Sequence, residues 1–297
     1  MNKDRSELKK KANPDYIDTS GFERKNYQAI GMGLDGKIAI VTGAGRGIGR
    51  AICHQLAKAG ANICLTSDMP EELERTRKEC VAFGAKAIVV TADVTERSQV
   101  RQVVDTCVRE LGEPFILVLN QGMQKAVPCL EISREFWDKM WAVNVTGSLF
   151  FIQEAGKYMI QREKTQRVRG KIIFISSITG LRGGRGVNLL PYHVTKGAVC
   201  SLTRALSQEW AKYDINVNSI APGTFLTALS SWTGDPEKEK KFLSGHIPMA
   251  HFKEKAIVPE KEPELIATMA LYLAAPASDY TTGQIVAIDG GTVEHFI

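Results

Sequence analysis

The sequence predicts an α/β protein, one domain in which helices cover both faces of a doubly wound parallel sheet. Short apolar runs rich in Val and Ile alternate along the chain with segments whose apolar residues recur at helical spacing. A glycine-rich turn directly follows the first of these runs. The 297 residues are 44% hydrophobic but only 7% aromatic, and they include 26 glycines. This composition fits a large core with many tight strand-to-helix turns better than it fits a β-sandwich.

The alternation begins at residue 34 and continues almost to the end of the chain. Seven short runs bounded by glycine or polar residues are predicted as strands, at 37–42, 61–66, 87–91, 115–119, 171–176, 215–220 and 284–288. Segments with helical periodicity lie between them, at 50–59, 71–83, 98–111, 135–162, 192–213 and 263–274. The sequence therefore predicts one domain over residues 34–297.

Three segments fall outside this alternation. Residues 1–33 are polar and are interpreted as an extension that is disordered or lies over a neighbouring subunit. The basic stretch 162–171 is interpreted as a solvated loop. Residues 223–262 form a long irregular stretch, and long insertions of this kind in compact α/β domains are often lids over a site.

Charge, cysteine content and hydropathy exclude several classes of protein. The excess of 38 Lys and Arg over 33 Asp and Glu gives a net charge of +5, too small and too dispersed to indicate nucleic-acid binding. A nucleic-acid role for lysines 9–11 and loop 162–171 is kept as a minor alternative. The six cysteines have no metal or disulfide spacing, which favours reduced thiols and no metal site. No stretch reaches the roughly 18–20 apolar residues that span a bilayer, and the N-terminus lacks a signal-peptide core. We expect a soluble, cytoplasmic protein without membrane contact.

The glycine-rich turn has the features of a phosphate site. It follows the first strand and opens into a helix, with the sequence Thr42-Gly43-Ala44-Gly45-Arg46-Gly47-Ile48-Gly49. Glycines permit the positive dihedral angles of a tight turn and let a pyrophosphate approach the backbone closely. The start of the helix presents free N–H groups and the positive end of its dipole to that anion. The position between strand and helix predicts nucleotide binding.

A second group of residues predicts proton transfer. Tyr192 and Lys196 are four residues apart on a predicted helix, so both side chains lie on one face. A nearby ammonium favours the phenolate of a tyrosine, whose ordinary pKa near 10 makes it a poor base at neutral pH. Ser177 follows a strand, where its hydroxyl can hold a reacting oxygen. Taken alone, a Tyr-x-x-x-Lys spacing is common by chance.

These motifs stand in the order found in the short-chain dehydrogenase/reductase family, which the chain resembles over roughly residues 34–291. The glycine turn has the family spacing TGxxxGxG, and further matches follow it at Asp93-Val94, Asn120-Gln121-Gly122, Asn144, Ser177, Tyr192 with Lys196, Pro222-Gly223 with Thr227, and Asp289-Gly290-Gly291. Any one of these motifs is modest evidence, but the ordered set is strong. The resemblance implies a Rossmann-type fold and an NAD(P)-dependent oxidoreductase that transfers a hydride between the nicotinamide and a secondary alcohol or ketone.

The resemblance also implies roles for individual residues. Tyr192 would be the general acid/base, Lys196 would tune it and hold the nicotinamide ribose, Ser177 would hold the substrate oxygen, and Asn144 would relay protons. The implied nucleotide-binding residues are Gly43, Arg46, Gly47, Ile48, Gly49, Ser67, Asp68, Asp93, Val94, Asn120, Gly122, Tyr192, Lys196, Pro222, Gly223, Phe225 and Thr227. The helices at 98–111 and 135–160 would form subunit contacts in a homotetramer or dimer.

The choice between NAD and NADP depends on the end of the second strand. The acidic position of the family falls on Ser67, with Asp68 one residue later, and Arg46 lies where many NADP-using members have a basic residue. A carboxylate binds the ribose 2′-hydroxyl and repels a 2′-phosphate, whereas an arginine favours that phosphate. The signals conflict, and the balance of them favours NAD.

Departures from the family pattern concern the substrate side. Leu119 and Gln121 replace the usual Asn and Ala near the nicotinamide. The loop at 181–186 is two residues longer than usual, and Arg182 and Arg185 either meet an anionic substrate or lie in a solvated turn. His193 is interpreted as a residue of the helix surface or pocket wall. Trp232, Phe225, Phe242 and Phe252 are candidate pocket or lid residues. The alternatives are an epimerase or dehydratase on the same fold, or a catalytically silent nucleotide-binding regulator.

Overall fold

The computed structural model describes residues 31–183, 188–223 and 263–293. Within them, seven strands form one sheet in the order β3-β2-β1-β4-β5-β6-β7, and every neighbouring pair is parallel. The strands are β1 (Ile38–Thr42), β2 (Asn62–Ser67), β3 (Ala87–Thr91), β4 (Ile116–Leu119), β5 (Gly170–Ile175), β6 (Ile215–Pro222) and β7 (Ile285–Ile288). The order reverses between β1 and β4, so the predicted doubly wound parallel sheet is confirmed.

Helices connect the strands and lie on both faces of the sheet. They are α1 (Gly47–Lys58), α2 (Pro70–Ala82), α3 (Arg97–Glu110), α4 (Arg134–Trp141), α5 (Gly147–Gln161), α6 (Leu190–Trp210) and α7 (Pro263–Ala274). None of the helices in the described ranges is both long enough and apolar enough to cross a membrane.

The core consists of two apolar layers, one on each face of the sheet. Neighbouring residues of β1 point to opposite layers, because side chains alternate along a strand: Val41 joins one layer and Ile40 the other. The first layer packs against α1, α2 and α7, and the second against α3, α5 and α6. Buried on both faces, the sheet holds the carboxyl ends of β1, β4 and β5 side by side, and the candidate site lies at these ends.

Two helix predictions differ from the structure in ways that matter for the site. The helix predicted at 50–59 begins earlier, at Gly47, so the glycine turn itself supplies the first helical residues. The stretch predicted as one helix at 135–162 is interrupted by a π-helical segment, Ala142–Thr146, between α4 and α5. Such segments occur frequently at functional sites, and this one contains Asn144.

The interpretation of residues 162–171 as a solvated loop is only partly right. Lys164 and Arg167 are exposed, but Arg162 donates to the carbonyls of Arg169, Glu113 and Pro114. Lys171 is 1% exposed, with its ammonium 2.9 Å from the Asp279 carboxylate and 3.1 Å from the Ser278 hydroxyl. Several basic groups of this segment therefore satisfy backbone or buried partners, which weakens the nucleic-acid alternative.

An ion cluster joins α1 to α2 behind the glycine turn. The Glu79 side chain is 9% exposed and accepts two hydrogen bonds from Arg50, at 2.7 and 2.5 Å, while the His54 ring lies 2.7 Å from its second oxygen. Burial acts to raise the pKa of Glu79, but the hydrogen bonds from His54 and Arg50 outweigh it and lower the pKa from 4.5 to about 2. The folded state therefore holds this carboxylate in its ionised form.

We expect Glu79→Gln to lower the free energy of unfolding by about 3 kcal/mol at pH 7. A carboxyl group whose pKa is depressed on folding adds stability above its unfolded pKa of 4.5, and this stability is lost as the pH falls towards 2. Urea unfolding at several pH values should therefore show the gap between wild type and variant closing over that range. Glu74→Gln serves as control, because Glu74 is 45% exposed and its ion pair with Arg77 lies at the surface. We expect it to lower the free energy of unfolding by less than about 0.5 kcal/mol. A gap that stays constant from pH 7 to pH 2 would contradict the prediction.

Several predictions fall on residues outside the described ranges. They concern the N-terminal extension up to residue 30, the lid after Gly223, Arg185, and the residues Phe225, Thr227, Trp232, Phe242 and Phe252.

Candidate functional site

The glycine turn after β1 adopts the predicted tight geometry. Gly43 and Gly47 have φ angles of 58° and 52°, which L-residues with side chains rarely adopt. At Gly49, a Cβ would lie 2.1 Å from the carbonyl oxygen of Gly43, so only glycine permits this approach of helix to turn. The first turn of α1 contains no acidic residue, and no side chain caps it. Its N–H groups are therefore available to an anion.

Polar side chains that follow β4 form hydrogen bonds with this turn. The Asn120 amide donates to the carbonyls of Thr42 and Gly43, both at 3.1 Å. The Thr42 hydroxyl accepts from the backbone N–H groups of Asn120 and Gln121 and donates to the Gln121 side-chain oxygen at 2.5 Å. Gln121 in turn donates to the Ser148 hydroxyl of α5 at 2.7 Å. The unusual Gln121 thus ties the turn to α5 instead of disturbing the packing.

A cavity of about 450 Å³ opens along the carboxyl ends of the central strands. It is lined by Gly43, Gly45, Arg46, Gly47, Ile48, Ser67, Asp68, Met69, Glu72, Ala92, Asp93, Val94, Asn120, Gln121, Gly122, Met123, Lys139 and Val143. Its residues fit a dinucleotide: uncapped helix N–H groups and a glycine turn for the pyrophosphate, and polar groups at the end of β2 for a ribose. Ten of the predicted nucleotide-binding residues line it, namely Gly43, Arg46, Gly47, Ile48, Ser67, Asp68, Asp93, Val94, Asn120 and Gly122.

The end of β2 forms one wall of this cavity. β2 extends through Ser67, whose hydroxyl accepts from the Met69 N–H at 3.2 Å, and Asp68 follows with an exposed side chain. Arg46 stands opposite, with Nη1 3.4 Å from Oε1 of Glu72. Two carboxylates and one guanidinium therefore border the cavity at this wall.

Asp93 lies after β3 on the same cavity. Its carboxylate accepts from the N–H and the hydroxyl of Thr95, at 2.8 and 2.7 Å, which forms a local turn. Asp93 is not the cap residue of the following helix, because α3 begins at Arg97 with Glu96 as its N-terminal cap residue.

Tyr192 and Ser177 meet where β5 ends and α6 begins. Ser177 accepts from both the N–H and the hydroxyl of Thr179, at 3.2 and 2.9 Å. Because both lone pairs of its oxygen are engaged, the hydroxyl of Ser177 is directed to act as a donor. Burial raises the pKa of Tyr192 to about 12, and the hydrogen bond with Ser177 acts in the opposite direction. Burial is the larger of these two effects, so the pKa of Tyr192 lies above its ordinary value of 10.

Lys196 and Asn144 lie beside this pair, facing Gly122. The Lys196 ammonium donates to the carbonyl of Ile175 at 2.8 Å and lies 5.7 Å from the centre of the Tyr192 ring. Burial lowers the pKa of Lys196 to about 8. Asn144 accepts from Met123 N at 2.8 Å and donates to the hydroxyl of Thr195 at 3.0 Å. A Cβ on Gly122 would lie 3.5 Å from the lysine nitrogen and 3.6 Å from the Asn144 oxygen, so the cavity adjoins these groups.

The motifs Pro222-Gly223 and Asp289-Gly290-Gly291 lie next to each other at the ends of β6 and β7. Gly223 follows β6 and donates to Ile288 at 2.9 Å, and a Cβ there would lie 2.7 Å from Cα of Asp289. The Asp289 carboxylate accepts from the N–H groups of Gly291 and Val293. Arg182 donates to the carbonyls of Thr292 and Val293 at 2.6 and 2.7 Å, so it anchors the chain end. Pro222 and Gly223 themselves do not line the cavity.

His193 lies on the turn of α6 next to Tyr192. Its Nδ1 lies 2.9 Å from the carbonyl of Leu189, one turn back, and the residue is half-buried. This local contact agrees with its interpretation as a residue of the helix surface.

Sequence reasoning missed several cavity residues. Met123 and Val143 adjoin the motif residues Gly122 and Asn144, so the neighbourhood of those motifs could have indicated them. Glu72 and Lys139 carry no such signal, because the packing of α2 against the glycine turn, and of α4 against α6 and the π-helical segment, brings them to the cavity. Among the described residues, no group of His, Cys, Asp and Glu could hold a metal ion.

Known proteins are similar to this chain in sequence and architecture. The family model for short chain dehydrogenases matches residues 37–238. Gluconate 5-dehydrogenase of Gluconobacter oxydans is 32% identical over 87% of this chain and 95% of its own length. Sorbitol dehydrogenase of Cereibacter sphaeroides is 35% identical over 88% of this chain and 98% of its own length. The crystal structure of a gluconate 5-dehydrogenase from Burkholderia cenocepacia, in complex with NADP and tartrate, matches with a TM-score of 0.79 and 31% identity, covering 90% of this chain and 98% of that one.

The comparisons agree with the order of motifs and with the geometry of the turn. Matched over most of their length, these relatives do not favour an epimerase or dehydratase. The chain is an NAD(P)-dependent oxidoreductase that acts on alcohol and ketone groups. With its glycine turn, its parallel sheet and its Ser177, Tyr192 and Lys196 in place, it belongs to the family of short-chain dehydrogenases.

Proposed function

We propose that Tyr192 transfers the proton in this reaction and that Ser177 holds the oxygen of the substrate. The orientation of the Ser177 hydroxyl as a donor beside Tyr192 is the observation that carries this proposal. When bound, the nicotinamide supplies or accepts the hydride. In the oxidation direction, the phenolate oxygen of Tyr192 takes the hydroxyl proton while Ser177 donates to the same substrate oxygen.

Lys196 and Asn144 support this step. The buried ammonium of Lys196 lies on the same helix face as Tyr192, and in its charged form it favours the phenolate. Asn144 adjoins Lys196 across Gly122, which suits a relay of the proton towards solvent. The presence of these groups together argues against a catalytically silent regulator, because a site without turnover has no need of them.

For the substrate we propose a secondary hydroxyl or ketone of a polyol or sugar acid. The names of the two relatives, a gluconate 5-dehydrogenase and a sorbitol dehydrogenase, support this class. We propose that residues 223–262 form the lid over it, because β6 ends at Pro222, at the edge of the sheet where the site lies. A substrate panel of gluconate, sorbitol and simple secondary alcohols, followed by nicotinamide absorbance, tests the class; oxidation of simple alcohols alone would contradict it.

For the cofactor we propose NAD in preference to NADP. The solved relatives favour NADP, because the gluconate 5-dehydrogenase from Burkholderia cenocepacia and a related protein from Beutenbergia cavernae both have NADP bound. In this chain, however, the exposed carboxylate of Asp68 lines the cavity directly after β2. This negative charge repels a 2′-phosphate and suits the free 2′-hydroxyl of NAD.

The test is calorimetric binding of NAD and NADP to the wild type and to Asp68→Ala. We expect wild type to bind NAD more tightly, and the variant to lose part of that preference because one carboxylate is gone. Tighter binding of NADP by wild type would refute the preference for NAD. Binding of neither nucleotide would refute the nicotinamide site as a whole.

We also propose a homo-oligomer, a tetramer or dimer, with contacts through α3 and α5. Leu149 on α5 is 40% exposed and Phe150 beside it is only partly buried, which leaves apolar surface on this helix. Sedimentation of the wild type and of Leu149→Glu tests this, and a monomeric wild type would contradict it.

A further inference from the structure

Arg46 and Glu72 form an ion pair at the rim of the cavity. Nη1 of Arg46 lies 3.4 Å from Oε1 of Glu72, and the two side chains are 57% and 30% exposed. Arg46 is the last residue before α1, so its guanidinium stands where the glycine turn faces the end of β2. A pair this exposed adds little to stability, but it places the guanidinium beside the carboxylate of Glu72.

The position of Glu72 is fixed by the turn itself. A Cβ on Gly45 would lie 2.7 Å from Cβ of Glu72 and 3.2 Å from its Oε2, so the side chain rests directly on the bare backbone of the turn. One helical turn later, the Thr76 hydroxyl donates to the carbonyl of Gly45 at 3.1 Å and anchors α2 there. The carboxylate is therefore held against the turn by backbone packing.

We propose that Glu72 is a specificity-determining residue, which draws Arg46 away from the 2′-phosphate of NADP and so disfavours that nucleotide. A phosphate monoester carries nearly two negative charges and three acceptor oxygens, for which a guanidinium is the best-suited partner. Glu72 competes for the same guanidinium from a position only 3.4 Å away. The inference rests on the proposed nicotinamide nucleotide site, and it adds a residue of α2 to the determinants at the end of β2.

Glu72→Gln tests the inference, because it removes the charge and keeps the shape of the side chain. The measured quantity is the ratio of the Kd for NADP to the Kd for NAD, by calorimetry on the full chain. We expect this ratio to fall about two- to fivefold, because the guanidinium released from an exposed ion pair can then bind the phosphate. Glu71→Gln is the matched control: Glu71 is the exposed neighbour in the same first helical turn and does not line the cavity. It removes the same charge from the helix start and should leave the ratio unchanged.

Arg46→Ala distinguishes binding of the phosphate by the Arg46 guanidinium from direct repulsion of the phosphate by the Glu72 carboxylate. The double variant Arg46→Ala with Glu72→Gln is compared with Arg46→Ala alone. The ratio of the two Kd values should be the same in both, because the group that would bind the phosphate is absent from both. A gain that persists in the double variant would overturn the inference, since Glu72 would then act by its own charge. An unchanged ratio in Glu72→Gln would overturn it as well.

Nucleotide binding by the wild type distinguishes an incorrect role for Glu72 from an incorrect nucleotide site. If wild type binds neither nucleotide, the proposed site fails before Glu72 is tested. If wild type binds either nucleotide and the ratio does not respond to Glu72→Gln, the site stands and only the role of Glu72 is refuted.

Discussion

Tyr192→Phe is expected to lower kcat by about 10²- to 10⁴-fold, the usual contribution of a positioned acid/base group. The phenyl ring keeps the packing of this 8%-exposed side chain, while the oxygen that exchanges the proton is lost. Nucleotide affinity should stay within about twofold, because the glycine turn and the end of β2 are untouched. Steady-state kinetics and calorimetry measure the two effects separately. The matched control is Tyr213→Phe, a partly buried tyrosine beyond the end of α6, which should retain wild-type kcat.

The pH dependence of kcat/KM tests the role of Tyr192 as the acid/base group more directly than kcat at one pH does. The hydrogen bond with Ser177 lowers the pKa of Tyr192 against the effect of burial. Ser177→Ala should therefore move the alkaline rise of kcat/KM for alcohol oxidation to higher pH, because the phenolate loses its donor. A Tyr192→Phe enzyme that keeps more than a tenth of the wild-type kcat would show that another group carries the proton.

The fold could be predicted almost completely because its signals are local. Buried parallel strands read as continuous apolar runs, and α7 begins and ends at the predicted residues. The start of α1 was predicted three residues late because Gly47 and Gly49 are poor helix formers, and the tertiary approach of turn to helix overrides that propensity.

The candidate site could be predicted only where a motif encodes it. The glycine turn was indicated by its place between a strand and a helix, and the resemblance to the family indicated Asp68 and Val94. Glu72 could not be predicted, because its approach to Gly45 depends on how α2 is rotated against the turn. The same limit applies to Arg162, whose carbonyl partners Glu113 and Pro114 lie some fifty residues away in sequence.

The electrostatics of the site depend on burial, which the sequence does not show. Spacing alone predicted that Lys196 would lower the pKa of Tyr192. In the structure, burial acts on both groups, raising the pKa of the phenol to about 12 and lowering that of the ammonium to about 8. The closeness of the two residues was predictable from the sequence, but their burial, which shifts both pKa values, results from the packing of α6 against β6.

Gly49→Ala is the second substitution with a large expected effect. The added methyl would lie 2.1 Å from the carbonyl oxygen of Gly43 and 2.6 Å from the amide nitrogen of Asn120, so the turn or α1 must move. We expect the Kd for the preferred nucleotide to rise by about tenfold or more, because the N–H groups that face the pyrophosphate move with the turn. Overpacking should also lower the free energy of unfolding by about 1–3 kcal/mol. Calorimetry gives the first quantity, and thermal unfolding with circular dichroism gives the second.

Gly197→Ala separates this steric effect from the general effect of alanine in a helix. Gly197 lies within α6, where a Cβ would meet only the carbonyl oxygen of Gly180 at 3.8 Å, an ordinary contact. Because alanine favours helix more than glycine does, this control should be neutral or more stable by up to about 1 kcal/mol. Gly49→Ala has the same propensity gain, so a loss of stability and affinity there must come from the clash with the turn. Wild-type nucleotide affinity in Gly49→Ala would show that the close approach of α1 to Gly43 is not what positions the pyrophosphate.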